Sequence, residues 1–283
     1  MRLRALVRRA TVDWVPFSPV FDRFYALARF VRIHRRWPRK YLFNDRLFRL
    51  KWEGELLDPL RQVLTDKVHA KEFVKARLGE QCVIKTLAVL RSEKDINGYR
   101  FPEKCVVKAA HSCGNTLFCR DGTVDREQLA SWLKSSYYRR SREQNHAFLR
   151  PKIIVEEFAF GSDVVPEDYK LFCVDGQPRA IMAVYDRFVD QTRVFYDTEW
   201  NPQPYSILHP IGRPRPRPAN LDDMLAAAAT LSQGFSFIRV DLYSDGDSFK
   251  VGEITNCHGS AIERFLPAEG ELLLSTLLFG EEA

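Results

Sequence analysis

The sequence predicts an α+β fold built from short strands and amphipathic helices, on three observations. Apolar runs rich in β-branched and aromatic residues recur along the chain, and helix-start signals such as Ser-Pro and Thr-Asp precede the amphipathic stretches. The runs at 237–243 and 249–256 flank Ser-Asp-Gly-Asp-Ser and are therefore typical of a β-hairpin. With 283 residues and 45% hydrophobic content, the chain can bury one large core or two ordinary ones.

The N-terminal 65 residues are predicted to form a helical, basic segment. In the helix expected over 17–36, apolar residues at positions 20, 21, 24, 27, 28 and 31 share one face, and arginines lie on the other. Such a helix can lie on an anionic membrane, but an apolar stripe more often packs on its own domain, and we favour packing. A second helix is expected at 44–52, with Asn44 as its N-cap.

Charge and cysteine content limit the class of protein. The +6 net charge is concentrated near the N-terminus, with arginines at 2, 4, 8 and 9. This suits an anionic partner but is equally typical of a solvated helix face, and we expect no nucleic-acid partner. The six cysteines form no Cys-x-x-Cys pair, which predicts reduced thiols without zinc. No run approaches the ~18 apolar residues of a membrane span, so we expect a cytoplasmic protein, either soluble or peripheral at the inner membrane face.

The middle of the chain is predicted to contain both helices and strands. A helix over 67–77, ended by Gly79, carries Lys67, Lys71 and Lys75 along one face. The proline-rich stretch 210–218 is predicted to be a surface connection. Strands are expected at 82–90, 104–110, 116–119, 151–158, 168–174 and 179–186, and helices at 125–149 and 221–231, the last capped by Asn220.

The hairpin is the first candidate site. Asp241 and Glu253 fall on neighbouring strands, and Arg239 lies two residues before Asp241 on the same face. With Asn256 close behind, these carboxylates make an oxygen-rich site suited to Mg²⁺ carrying the phosphates of a nucleotide. The alternative is a half-buried hairpin whose acids only face water.

Two further stretches are candidates for nucleotide binding. Lys108 precedes the small-residue loop 111–115, whose backbone N–H groups can wrap a triphosphate, although the loop does not match the Walker A pattern. The apolar strand that ends at Glu156 can offer backbone groups and a carboxylate to an adenine amino group. Either stretch is also compatible with an ordinary strand end in water.

In their order and spacing, these motifs resemble the ATP-grasp superfamily, and in particular its TupA-like branch, the teichuronopeptide and cell-surface polysaccharide biosynthesis type. The resemblance covers most of the chain. It runs through 36–38, 66–67, 101–108, 111–114, 152–157, 168–170, 195–197, 239–241 and 252–255.

The resemblance implies two α+β subdomains that close on ATP from opposite sides, here 66–155 with a phosphate-binding flap and 156–283 with the magnesium site, preceded by the helical segment 1–65. ATP and Mg²⁺ are the implied cofactors. Lys67, Lys108 and the flap residues His111, Ser112 and Gly114 would meet the phosphates. Glu156, Glu157 and Phe158 would hold adenine, and Asp163 the ribose.

The resemblance also implies the metal and catalytic residues. Asp241, Glu253 and Asn256 would hold Mg²⁺, although Asn256 lies one residue beyond the matching position, Thr255, and alternation along a strand turns it to the other face. Arg239 would steady the charge that develops during acyl transfer, and Lys170 would contact the nucleotide or substrate.

The implied activity is that of an ATP-dependent carboxylate–amine ligase acting through an acyl phosphate. Its substrates would be an amino acid or amine and a uronic acid, glycan or peptide. Two alternatives remain open. One is a kinase that phosphorylates a hydroxyl with the same residues, and the other is a non-catalytic ATP-binding scaffold of a polysaccharide assembly.

Overall fold

Three antiparallel sheets organise the part of the chain described by the computed structural model, residues 15–39, 41–161, 166–187 and 189–280. The strands are Thr86–Leu90 (β1), Cys105–Ala109 (β2), Thr116–Cys119 (β3), Ile153–Glu156 (β4), Glu167–Val174 (β5), Gln177–Tyr185 (β6), Thr192–Tyr196 (β7), Ser206–Ile207 (β8), Phe237–Ser244 (β9), Phe249–Thr255 (β10) and Phe265–Leu266 (β11). The helices are Pro19–His34 (α1), Phe43–Glu53 (α2), Pro59–Thr65 (α3), Lys67–Leu78 (α4), Glu93–Gly98 (α5), Arg126–Lys134 (α6), Tyr137–Ser141 (α7), Leu221–Ser232 (α8) and Gly270–Phe279 (α9).

The largest sheet has the strand order β10-β9-β5-β6-β7 and is covered on both faces. One face packs against α4 and α8 in a core that includes Val74 and Met224. The other packs against the N-terminal helices and α9 in a core that includes Phe43, Phe172 and Leu274. Both faces of this sheet are therefore buried in hydrophobic cores.

The four-stranded sheet, with the order β1-β4-β2-β3, uses its two faces differently. Residues of one face, such as Val107 and Val155, pack with α5 and α6. Because side chains alternate along a strand, Val106, Lys108 and Glu156 belong to the opposite face, and they line a cavity between the two sheets. The small two-stranded sheet joins β11 and β8.

Several sequence predictions are confirmed. The hairpin is formed by β9 and β10, and most predicted strands lie within one to four residues of their observed bounds. The helix at 67–77 is α4, where the Asp66 side chain accepts from the N–H of Val68 and Gly79 closes the helix with a φ of 91°.

Other predictions need correction. Asn44 is not the N-cap of α2, which begins at Phe43; its amide donates to Glu263 O and Glu271 Oε1 instead. The region 125–149 is not one helix, because Ser136 caps a separate short helix, α7. Asn220 precedes α8 but makes no capping hydrogen bond with its side chain. The elements α3, α5, α9, β7, β8 and β11 were not predicted.

Helix α1 packs on the domain, as predicted, but through a different face. Its buried residues are Asp22, Ala26 and Phe30, whereas Val20 and Phe24, from the predicted apolar face, are 62% and 61% exposed. The reason is that Asp22 accepts a hydrogen bond from a tyrosine hydroxyl at 2.8 Å, which turns this polar side of the helix inward. The basic residues at 2, 4, 8 and 9 lie outside the described residues.

Two findings bear on the organisation of the chain. Helix α4, which we assigned to the smaller subdomain, packs through Val74 into the core of the larger sheet. The subdomain boundaries therefore stay a proposal. Within the described ranges, no helix combines the length and the apolar character needed to cross a membrane.

Candidate active site

A cavity of about 370 Å³ lies between the two main sheets. Its walls come from the inner face of the smaller sheet, from the loop after β2 and from strands β5, β9 and β10. It is lined by ten of the residues predicted to bind nucleotide, metal ion or substrate, namely Lys67, Lys108, Ser112, Gly114, Glu156, Glu157, Phe158, Lys170, Asp241 and Glu253.

A row of three charged side chains crosses the larger sheet at this cavity. Lys170 on β5 pairs in register with Asp241 on β9, and Asp241 pairs with Glu253 on β10. Directly opposed residues on neighbouring strands share a face, so the three side chains lie next to one another. Lys170 Nζ donates to Asp241 Oδ2 at 2.7 Å.

A β-bulge at Gly252 sets this register. The strands pair Val251 with Leu242 but then pair Glu253 with Asp241, so Gly252 is the extra residue. Without the bulge, Gly252 would face Asp241 and the side chain of Glu253 would shift out of the row. Glycine is required by close packing as well, since a Cβ here would come within 2.6 Å of the Tyr243 ring.

Arg239 is held in place by several partners. Its Nε and Nη2 donate to the two oxygens of Asp241 at 2.6 and 2.7 Å, Nη2 also donates to Thr255 Oγ1 at 3.0 Å, and Nη1 donates to His258 Nδ1. Contacts with the described residues thus use four of its five N–H groups, and one on Nη1 makes no contact with them. Burial alone raises the pKa of Asp241, but Arg239 and Lys170 outweigh it and hold that pKa below its ordinary value.

Lys67 connects the loop 111–115, the predicted phosphate-binding flap, to Glu253, a predicted Mg²⁺ ligand. Its Nζ donates to the backbone oxygen of Ser112 and to Glu253 Oε1, both at 3.0 Å. Burial alone lowers the pKa of Lys67, but the Glu253 carboxylate outweighs burial and raises it, so the ammonium stays charged. The flap itself turns at Gly114, whose φ of 81° favours glycine.

The Glu156 carboxylate lies between two lysines. Lys108 Nζ is 2.7 Å from Glu156 Oε2, and Lys71 forms an ion pair with Oε1. Burial alone raises the pKa of Glu156, but the two ammonium groups hold it below its ordinary value. We expected this carboxylate to hold adenine; in the structure it forms ion pairs with Lys71 and Lys108, and its contact with adenine stays a prediction.

The other end of the cavity is apolar. Ile84, Val106, Phe118 and Phe158 line it, and the phenyl rings of the last two lie 6.0 Å apart. An apolar, partly aromatic slot suits a flat heterocycle such as adenine. The charged and apolar ends together match the two halves of a nucleotide.

Two predicted site residues, His111 and Asn256, lie apart from the others. His111 is buried, and its ring nitrogens contact Lys152 and the backbone oxygen of Trp132, so it supports the flap from behind. The Asn256 amide contacts Arg61 O and Thr65 Oγ1, which engages it away from the two carboxylates. Asp163 lies outside the described residues.

A second cavity, of about 300 Å³, adjoins the first. Four residues line both cavities: Lys170, Arg187, Asp241 and Glu253. Arg239 and Glu143 line the second cavity. A molecule in the second cavity would therefore lie beside the charged end of the first.

A family model described as "TupA-like ATPgrasp" matches residues 49–279. The chain belongs to this family. The resemblance inferred from its motifs and the predicted ATP-grasp fold are both confirmed. A search of curated proteins found no match.

Solved structures of ATP-grasp enzymes are similar to this member of the family only distantly. A D-alanine–D-alanine ligase from Bacillus anthracis complexed with ATP shows 15% identity and a TM-score of 0.39 over 69% of this chain and 55% of its own. The ATP-grasp ligase PsnB, complexed with a precursor variant, Mg and ADP, shows 12% identity and a TM-score of 0.41 over 81% of this chain and 63% of its own. Our chain thus spans little more than half the length of the first ligase, and likeness at this level concerns only the general fold.

The residues present fit the magnesium ion that the ATP-grasp fold implies. Mg²⁺ in nucleotide sites is held by one or two carboxylates together with phosphates and waters. Asp241 and Glu253 supply such a pair, and each carboxylate oxygen has two lone pairs, so ion pairing to Arg239, Lys170 and Lys67 leaves acceptor capacity. No group of three or more acidic, histidine or cysteine side chains placed to hold a metal ion occurs among the residues described.

Sequence reasoning missed several residues that line the two cavities or form ion pairs with residues that line them. Lys71 was part of the noted lysine stripe, and its i, i+4 spacing from Lys67 was the available signal. Arg187, which donates to Asp168 Oδ2 at 3.1 Å, follows a strand without a recognisable motif. Glu143 had no signal either, because its position depends on packing between distant segments.

His146, beside the second cavity, makes stability depend on pH. Burial lowers its pKa to about 4, whereas an unfolded histidine titrates near 6.5. Between these values the unfolded chain binds the extra proton, so we expect the free energy of unfolding to fall as pH drops from about 6.5 to 4, by on the order of 3 kcal/mol from this group. Urea unfolding across this range would measure the slope, and His146→Gln should flatten it; an unchanged slope would contradict the assignment.

Proposed function

We propose that this protein is an ATP-dependent ligase that joins a carboxylate to an amine through an acyl phosphate. The observation that carries the proposal is that carboxylates and lysines from different elements of the fold face the same cavity. The row of Lys170, Asp241 and Glu253 lies on the larger sheet, while Lys67 on α4 and Lys108 on the smaller sheet face the same space. Together they provide a place for the phosphates of a nucleotide between two sheets.

The proposed reaction requires activation of a carboxylate, which is unreactive toward amines. A carboxylate resists attack by an amine because its carbon is electron-rich and oxide is a poor leaving group, and transfer of a phosphoryl group to it removes both obstacles. When bound, Mg²⁺ would neutralise phosphate charge at Asp241 and Glu253. Lys67 and Lys108 would hold the phosphate oxygens, since their charged forms are favoured by Glu253 and Glu156.

Arg239 and Lys170 would stabilise the negative charge that develops on oxygen during the acyl-transfer step. The remaining Nη1 hydrogen of Arg239 can donate to a developing oxyanion, and its other contacts hold the guanidinium in one orientation before the reaction. Lys170 donates to Asp168 and Asp241, and its third hydrogen is free for a substrate oxygen. Such preorganised donors act most strongly where water is excluded.

The biological setting is a narrower part of the proposal. The resemblance to the TupA-like branch supports a carboxylate substrate that is a uronic acid, glycan or peptide, in cell-surface polysaccharide biosynthesis. The amine would be an amino acid or another primary amine. Residues 66–155 and 156–283 would form the two subdomains that enclose the nucleotide, after a helical segment at 1–65.

The test combines binding and turnover. Calorimetry with ATP and Mg²⁺ should detect binding, and phosphate release should then require pooled uronic acids and amino acids together. A phosphoester product without free phosphate would identify a kinase instead. Binding without any turnover would identify a scaffold, and absence of binding would contradict all three functions.

We also propose that α1 contacts a membrane surface. Phe17, Val20, Phe24, Trp52 and Phe148 form an exposed apolar strip, linked by ring contacts between Phe17 and Phe148 and between Phe24 and Trp52. Arginines on the same helix provide charge that complements anionic lipid headgroups.

Flotation would test this surface directly. At low salt the protein should float with vesicles containing anionic phosphatidylserine but not with neutral phosphatidylcholine vesicles. Replacement of Val20 and Phe24 by serine should weaken flotation, whereas Val63→Ser, at an exposed valine outside the strip, should not. Equal flotation of the wild-type protein and the double variant would refute the proposal.

A further inference from the structure

The second cavity contains a carboxylate with an unusual environment. Glu143 is only 4% exposed, and it forms no ion pair with any lysine, arginine or histidine in the described part of the chain. Its side chain contacts the Tyr137 hydroxyl at 3.5 Å. A buried carboxylate without a cation is costly, by several kcal/mol in proteins, so its retention calls for a partner.

The other acids that line this cavity already have cationic partners. Asp241 pairs with Arg239 and Lys170, and Glu253 pairs with Lys67. Glu263 lies 3.7 Å from an arginine nitrogen. Among the described acids of this cavity, Glu143 is therefore the one without a cationic partner.

The groups around Glu143 stay neutral and do not supply the missing charge. The Tyr137 ring lies 4.5 Å from the His146 ring. The adjacent carboxylate, followed by burial, raises the pKa of Tyr137, and burial lowers the pKa of His146 to about 4. Burial also raises the pKa of Cys113 to about 12. At neutral pH all three are uncharged.

The segment that carries Glu143 is fixed from both sides. Arg142 pairs with Asp22 of α1 at 3.5 Å, and Tyr138 also donates to Asp22. On the other side, Asn145 donates to Thr65 Oγ1 at 2.9 Å, and its own Oδ1 accepts no hydrogen bond from a described residue. Glu143 is thus held beside the cavity by structure on two flanks.

We infer that Glu143 binds the ammonium group of the amine substrate in the second cavity and accepts its proton during amide formation. A protonated primary amine supplies both the positive charge and the hydrogen-bond donors that the described residues around Glu143 do not provide. Because the cavity shares Asp241, Glu253 and Lys170 with the first one, the amine would lie beside the activated carboxylate. This inference rests on the proposed ligase function.

The proton balance of the step is complete. The ammonium loses one proton to Glu143, and the amine nitrogen then forms a bond to the carbonyl carbon of the acyl phosphate. The bond between that carbon and the phosphate oxygen breaks, and the phosphate leaves with the second nitrogen proton. The products are an amide, hydrogen phosphate and protonated Glu143, which returns its proton to solvent.

Hydroxylamine separates the two halves of the reaction. It is mostly uncharged at neutral pH, so it can trap an acyl phosphate as a hydroxamate without an ammonium site or a base. The experiment compares wild type, Glu143→Gln and the surface control Glu80→Gln, each with Mg·ATP and pooled uronic acids and amino acids. Hydroxamate formation reports activation of the carboxylate, and amide formation without hydroxylamine reports use of the amine.

We expect Glu143→Gln to keep hydroxamate formation within about twofold and to lose amide formation by roughly a hundredfold, the usual range for a general base. Retained hydroxamate formation also shows that the variant is folded. Unchanged amide formation would overturn the role of Glu143 while leaving the ligase function intact, and loss of both products would place Glu143 outside the amine step. Absence of hydroxamate with wild type would overturn the ligase function and this inference together.

Discussion

Replacement of Asp241 by asparagine is expected to lower Mg-dependent ATP turnover by more than about a hundredfold. Even residues that only support metal ligands commonly contribute 10–100-fold, and Asp241 is proposed as a ligand itself. The variant also removes the negative charge between Arg239 and Lys170, which are both buried. We therefore expect lower stability as well, by on the order of 3 kcal/mol, as when one partner of a buried pair is lost.

Two measurements separate these effects. Urea unfolding gives the stability change, and phosphate release is then compared under conditions where the variant is folded. Asp245→Asn, in the exposed turn of the same hairpin, is the matched control and should behave like wild type. If folded Asp241→Asn protein turned over ATP at the wild-type rate, the metal assignment would be wrong.

Replacement of Lys108 by alanine is expected to weaken ATP binding by about tenfold to a hundredfold. Contacts of charged donors are worth about 1.5–3 kcal/mol, and Lys108 lies in the cavity with its ammonium held by Glu156. The variant also leaves Glu156 paired with Lys71 alone. Calorimetric titration with ATP would measure the change in affinity.

Lys75→Ala is the control for this variant. Lys75 lies two turns along α4 from Lys67 but pairs with Glu72 and Glu80 at the surface, outside both cavities. Its removal should leave ATP affinity unchanged. Equal affinities for wild type and Lys108→Ala would show that Lys108 has a structural role only.

The parts of the site that could be predicted from the sequence are those encoded locally. A hairpin signal placed Asp241 and Glu253 on adjacent strands, and alternation placed Arg239 on the same face as Asp241. Alternation also predicted that Asn256 would face away from the two carboxylates. Its amide contacts Arg61 and Thr65 instead. The alternation of side chains along a strand and the residues that favour a turn are properties of short segments, so they can be recognised from a short stretch of sequence.

The rest depends on contacts between distant segments. Nothing in the local sequence indicates that Lys71 and Lys108 meet on Glu156, because this requires α4 to pack against the larger sheet while facing the smaller one. The bulge at Gly252 is similarly hidden, since it is defined by the partner strand. The buried face of α1 was mispredicted because a single polar pair, between Asp22 and Tyr138, decides it.

The contacts of Asp22 on α1 with Tyr138 and Arg142 have a consequence for truncated forms of this protein. The family match begins at residue 49, so a chain cut to that boundary would keep the residues that line the first cavity but lose Asp22. Arg142, buried with Asp22 as its ion-pair partner, would then lose that partner at the point where the wall of the second cavity is anchored. We therefore expect the first helices to belong to the stable folded unit of the protein, and the limits of the family match to be a poor guide to its shortest folded form.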